Sequence, residues 1–237
     1  MNRRLLVVGA HSADFVWRAG GAMAAVVRSG GVARVIALSY GERGESGELW
    51  KVEGQTIAEV KRVRHDEAQR AAAALGSDLQ AFDFGDYPLE IHGDRLATLV
   101  DAIREFRPDA IVTHTDTDPF NPDHPAAHHA VVVARALASG AGVSSAFETI
   151  EPPEIYLFEP HQPELCNFTP TTFVDITGVM DAKREAMISM AAQSYLQTYY
   201  LQRAEQRGNH ARRVSGRTEI EAAEAFQRVL PQVVSSL

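Results

Sequence analysis

Apolar runs of strand length alternate with stretches of helical period along most of the chain. RLLVVGA (4–10), ARVIALSY (33–40), LQAFDFG (79–85), DAIVTH (109–114) and EIYLFE (154–159) are mostly apolar, several of them almost without interruption. That is the pattern of strands buried on both faces of a parallel sheet. Helical periodicity fills 15–29, 56–76, 94–106 and 124–139, and Gly76 after AAAAL supplies a C-terminal stop. The βαβα rhythm predicts a Rossmann-like three-layer α/β/α sandwich with a mostly parallel sheet. Beyond residue 160 the rhythm changes. A Pro-containing loop, EPHQPELCNFTPTT, leads to the short apolar piece FVDIT, then a helix near 179–203 and a last helix near 218–230. No linker composition or repeat divides the chain, so residues 1–237 read as one domain.

Composition narrows the function classes. The formal charge of -8 argues against nucleic acid as a partner, and the densest basic run, HARRVSGR (210–217), has no interleaved aromatics. A lone cysteine, Cys166, rules out a disulfide framework within the chain. The N-terminal apolar run is too short for a signal segment or a membrane span. The expectation is a cytoplasmic enzyme with a small-molecule partner and no membrane partner, a homo-oligomer being left open.

In such folds ligands bind outside the carboxyl ends of the strands, and polar groups cluster at every one of these ends. His11 and Asp14 follow the first strand; GERGESGELW, with Arg43 and Glu45, follows the second. Asp86 and Tyr87 follow the third, HTDTDPFNPDHPAAHH the fourth and EPHQPE the fifth. The first turn, GAHSADF, lacks the G-x-G-x-x-G that brings backbone to a pyrophosphate, so a dinucleotide is not expected there. Gly20 and Gly21 fall inside the predicted helix and suit close packing.

One imidazole and one carboxylate in a tight strand-to-helix turn are normal zinc donors. The plain alternative is that Asp14 caps the helix and His11 is merely hydrogen-bonded. His124 lies at the mouth of the next predicted helix, which Asn121 or Asp123 can cap and whose first turn tolerates Pro125. His11, Asp14 and His124 would leave coordination positions open, as catalytic zinc requires. The rival pairing is His124 with His128; His128 and His129 more often pack or face solvent. His114, Asp116 and Asp118 can orient ligands or order the loop. Glu45 reads as either a solvated turn or a group folded over the metal, and His161 as structural or substrate-facing. Arg43, Arg64 and Arg213 are candidates for binding carboxylates, although Arg64 can simply pair with Glu67 on a helix surface.

VVGAHSAD, FGDYP, RPDAIVTH, PDHPAAHHAVVVA, KREAMISMAAQ and AAEAF, spread over nearly the whole chain, resemble the PIG-L/LmbE zinc de-N-acetylases. The resemblance implies zinc at His11, Asp14 and His124. It also implies departures: the family's proline falls at Ser12, its general-base aspartate at Ala13, and the histidine opening the later motif at Asn121. A methyl group cannot accept a proton and an amide is a poor acid, so amide hydrolysis through that pair is disabled. AHSADFVWRAGG, GERGES and EPHQPE further resemble one branch of the superfamily, the 4-oxalomesaconate hydratases of bacterial gallate breakdown. That resemblance implies a metal-dependent hydro-lyase acting on an oxo-tricarboxylate, with Glu45 and His161 handling protons in either order. Arg43, Asn121 and Arg213 are the substrate-binding candidates. The alternative is zinc-dependent de-N-acetylation of an N-acetylglucosamine-type conjugate.

Overall fold

A computed structural model describes residues 3–234. Seven strands form one sheet in the order β3-β2-β1-β4-β5-β7-β6. They are β1 (Arg4–Gly9), β2 (Val32–Ala37), β3 (Asp78–Ala81), β4 (Ala110–Thr113), β5 (Glu154–Phe158), β6 (Thr172–Asp175) and β7 (Ala223–Arg228). The first five pair in parallel, with Val7 of β1 level with Val35 of β2 and Val112 of β4. β7 runs antiparallel between β5 and β6.

Alternation along β1 sorts the two cores. Leu5 and Val7 pack under α1 (Asp14–Arg28) and α2 (Ile57–Ala74), whereas Leu6 and Val8 pack under α3 (Asp94–Phe106) and α4 (Asp123–Ala138). The chain therefore departs to opposite sides of the sheet from β1 and β4. Their adjacent carboxyl ends form the switch point where such folds open a crevice. Glycine at position 21 is needed for closeness, since a Cβ there would meet the Ile176 side chain at 2.7 Å. Among the described residues no helix is long and apolar enough to cross a membrane.

The expected strands and helices up to residue 159 are present, β2 and β3 ending earlier than their apolar runs. The C-terminal third departs from expectation twice. The helix expected near 179–203 is broken into α5 (Met180–Ser189), a 3₁₀ turn (Ala191–Leu196) and α6 (Gln197–Ser215). At the break Gln193, at φ -129° and ψ 30°, turns inward and accepts hydrogen bonds from Arg64 (2.9 Å) and Trp17 (3.4 Å). The segment near 218–230, read as a helix, contains strand β7 instead. Its Glu224 accepts from the backbone N–H groups of Gly21 and Ala22 at 2.9 and 2.7 Å and pairs with buried Lys183. Pairing on both edges and this inserted carboxylate outweigh local helix propensity.

Candidate metal centre

The turn from β1 into α1 is closed by Asp14, whose Oδ2 accepts from the His11 backbone N–H at 2.8 Å. This places both side chains at the sheet's rim. α4 brings His124 to the same point from β4's side. Pro122, not Asn121 or Asp123, stands at the helix cap; Asn121 Oδ1 accepts from the Asp123 N–H at 3.1 Å, and the Asp123 carboxylate accepts from the Tyr87 and Leu89 N–H groups. The loop after β2 contributes Glu45. Asp86 shapes that loop by accepting from the N–H groups of Arg43 and Gly44. Gly44 lies so close to the Tyr87 ring that a Cβ has no room there.

One ligand atom each from His11, Asp14, Glu45 and His124 can be chosen so that all lie within 4.8 Å of one another. His11 Nδ1 stands 3.3 Å from Glu45 Oε1 and 3.6 Å from Asp14 Oδ2. His124 Nε2 stands 3.7 Å from Asp14 Oδ1 and 3.8 Å from Glu45 Oε1. Donors about 2.05 Å from a tetrahedral ion lie about 3.3 Å apart, so the spacing fits a small divalent cation. Both ring nitrogens facing this point are buried and lack a hydrogen-bond partner, which is costly unless something else occupies the lone pairs.

The opposite ring nitrogens are held. His11 Nε2 donates to Asp123 Oδ2 (3.1 Å) and His124 Nδ1 to Asp118 Oδ2 (2.7 Å), which aims the other ring nitrogens inward, where a metal would displace any proton they carry. Burial opposes charge throughout the cluster, but opposite charges prevail. Glu45, Asp123 and Asp14 hold the His11 pKa well above its usual value. Arg18, with hydrogen bonds from His11 and His114, holds Asp14 well below the carboxylate range, and His11 does the same for Glu45. The result is a cradle with surplus negative charge. His114 is different. Burial and the neighbouring His124 push it down to about 3, so it is a neutral ring 3.1 Å from Asp14 Oδ2 and stacked on His124.

A cavity of about 390 Å³ opens above the cradle, and Glu45, Asn121, His124 and His161 line it together. Asn121 Nδ2 donates to Glu45 Oε1 at 3.0 Å. His161 stacks on Tyr199 at 4.1 Å. Burial together with the Arg18 and Arg203 charges lowers its pKa.

Three arginines named from sequence are not brought here. Arg43 turns its guanidinium to the Asp86 carbonyl at 2.6 Å. Arg213 is exposed near the end of α6. Arg64 is fully buried and ties Glu67 to Gln193, so this pair is a core brace and not a helix-surface contact. His128 bonds the His114 carbonyl, and Asp116 and His129 are exposed. Sequence reading passed over Arg18, which lines the cavity and donates to Asp14 Oδ1 at 2.8 Å. Its i, i+4 spacing from Asp14 was the available signal. Gln193 and Tyr200 line the cavity from the far end of the chain; Gln193 closes the stretch KREAMISMAAQ, and no local pattern announces Tyr200.

The pattern of the family described as "PIG-L: GlcNAc-PI de-N-acetylase" matches residues 6–135. A 4-oxalmesaconate hydratase of Pseudomonas putida is 46% identical over 235 residues, covering 98% of this chain and 91% of that one. A 1D-myo-inositol 2-acetamido-2-deoxy-alpha-D-glucopyranoside deacetylase of Rhodococcus jostii is 27% identical, covering 81% and 82%. The crystal structure of GalB, the 4-carboxy-2-hydroxymuconate hydratase of Pseudomonas putida KT2440, superposes with a TM-score of 0.96 at 44% identity, covering 99% of each chain. The chain belongs to the PIG-L family.

Proposed function

We propose that the protein is a zinc-dependent cytoplasmic hydratase that adds water across the C=C bond of 4-oxalomesaconate, giving 4-carboxy-4-hydroxy-2-oxoadipate. The observation that carries this reading is where carboxylates stand around the cradle, and where one does not. Position 13, where the deacetylase resemblance puts the base, holds the fully buried methyl group of Ala13. Glu45 brings a carboxylate into the cradle from another loop. The 46% identity with a 4-oxalmesaconate hydratase supports the same choice.

His11, Asp14 and His124 would hold zinc, which supplies a Lewis acid for the oxygens of the substrate and of water. Glu45 stands 3.3 Å from His11 and 3.8 Å from His124 at the floor of the cavity, and it takes the proton from the attacking water. The water oxygen bonds to one alkene carbon. The other alkene carbon takes its proton from His161, which faces the same cavity as Glu45. Glu45 returns its proton to solvent and His161 regains one, which closes the cycle. Asn121 orients the Glu45 carboxylate through its side-chain N–H.

The test is a paired assay on zinc-loaded protein: loss of the ultraviolet absorbance of 4-oxalomesaconate, and acetate release from an N-acetylglucosamine conjugate. Hydration without acetate is expected. Brisk acetate release with no hydration would replace this reading by de-N-acetylation.

A further inference from the structure

The proposed substrate carries three carboxylates, yet the cavity is lined by three of its own: Asp14, Glu45 and Asp118. Among the described residues lining it, Arg18 is the one arginine or lysine. Its side chain is 8% exposed. Nη1 serves Asp14 and approaches His114 Nδ1 at 3.3 Å, while Nε is buried with no partner. A guanidinium carries five N–H donors in a rigid fork that matches a carboxylate, so the contact with Asp14 leaves donors unused. Phe158 lies beneath it, with Cζ 5.7 Å from the ring centroid, and Trp17 and Tyr200 share the cavity wall. These rings exclude water and strengthen a charge-assisted bond formed there.

We infer that Arg18 binds a carboxylate of the substrate and selects an anionic oxo-acid over a neutral sugar conjugate. The inference rests on the hydratase reading for the identity of the substrate, but not for the binding of a polycarboxylate. Because Arg18 also holds Asp14, the anion it binds sits directly beside the metal cradle, with one guanidinium joining substrate and ligand.

The experiment uses zinc-loaded wild type, Arg18→Met and Arg18→Lys. Propane-1,2,3-tricarboxylate serves as an unreactive probe in calorimetry, alongside hydration kinetics and zinc content. Arg18→Met should weaken probe binding by about 30-fold, the scale of one charge-assisted bond, and raise KM by a similar factor. Zinc content should hold, and Arg18→Lys should recover part of the loss. Unchanged probe binding at full zinc content, absence of probe binding to wild type, or a loss that only tracks loss of zinc would each overturn the inference. If wild type binds the probe through Arg18 but does not hydrate 4-oxalomesaconate, the hydratase reading fails and the role of Arg18 stands.

Discussion

Replacing Asp118 by asparagine changes one atom in the contact that fixes the His124 tautomer. Asp118 Oδ2 accepts from His124 Nδ1 at 2.7 Å, while Oδ1 accepts from the Phe120 N–H at 2.9 Å. In Asp118→Asn the amide oxygen can keep the Phe120 bond, and the amide nitrogen then faces Nδ1 as a donor. Two N–H groups cannot share that contact, so the proton moves to Nε2, the atom that faces the cradle. Restoring the ligating tautomer then costs a charge-assisted bond, about 2 kcal/mol or about 30-fold in metal affinity, within the range for groups that orient metal ligands. Asp118→Ala removes the acceptor without presenting a donor and should lose less. Competition with a chelator of known zinc affinity measures both. Wild-type affinity in Asp118→Asn, or a larger loss in Asp118→Ala than in Asp118→Asn, would refute the tautomer argument.

Glu45→Gln should retain zinc by elemental analysis and lose at least about 100-fold in hydration rate; an unchanged rate removes Glu45 from proton transfer. Gly44→Ala pushes its new methyl into the Tyr87 ring and should lower kcat, with Tyr87→Ala in the same chain restoring part of it; failure of that rescue would show that the collision lies elsewhere. His114, pushed down to about 3 against an ordinary 6.5, makes the folded state bind fewer protons than the unfolded chain between those values. Its contribution to stability is therefore full above pH 6.5 and falls as pH drops toward 3. Urea unfolding of metal-free protein at pH 7 and pH 5 should show a smaller drop for His114→Gln than for wild type, and equal drops would contradict this.

The five parallel strands and the first four helices were legible because their signal is local. An unbroken apolar run such as LLVV suits few places other than the middle of a doubly covered sheet. The candidate donors His11, Asp14 and His124 were recognisable from sequence for a related reason, since they stand in the segments that follow β1 and β4, whose carboxyl ends the fold aims at the crevice. The C-terminal third was not. EAAEAF favours a helix by propensity, and only the open edge of β5, with α1 and Lys183 waiting for Glu224, makes it a strand.

The sequence by itself determined the sandwich, the position of its crevice and the chemical types of the donors, because those follow from periodicity and from what stands at strand ends. Tertiary structure alone decided which arginine faces the cavity, which ring nitrogen is left free and how near Glu45 comes to the histidines. Those depend on distances between segments that the chain order keeps far apart, such as Glu45 to Asn121 and Arg64 to Gln193. Periodicity records only which way a side chain points from its own element, and a metal cradle needs several elements to agree on one point.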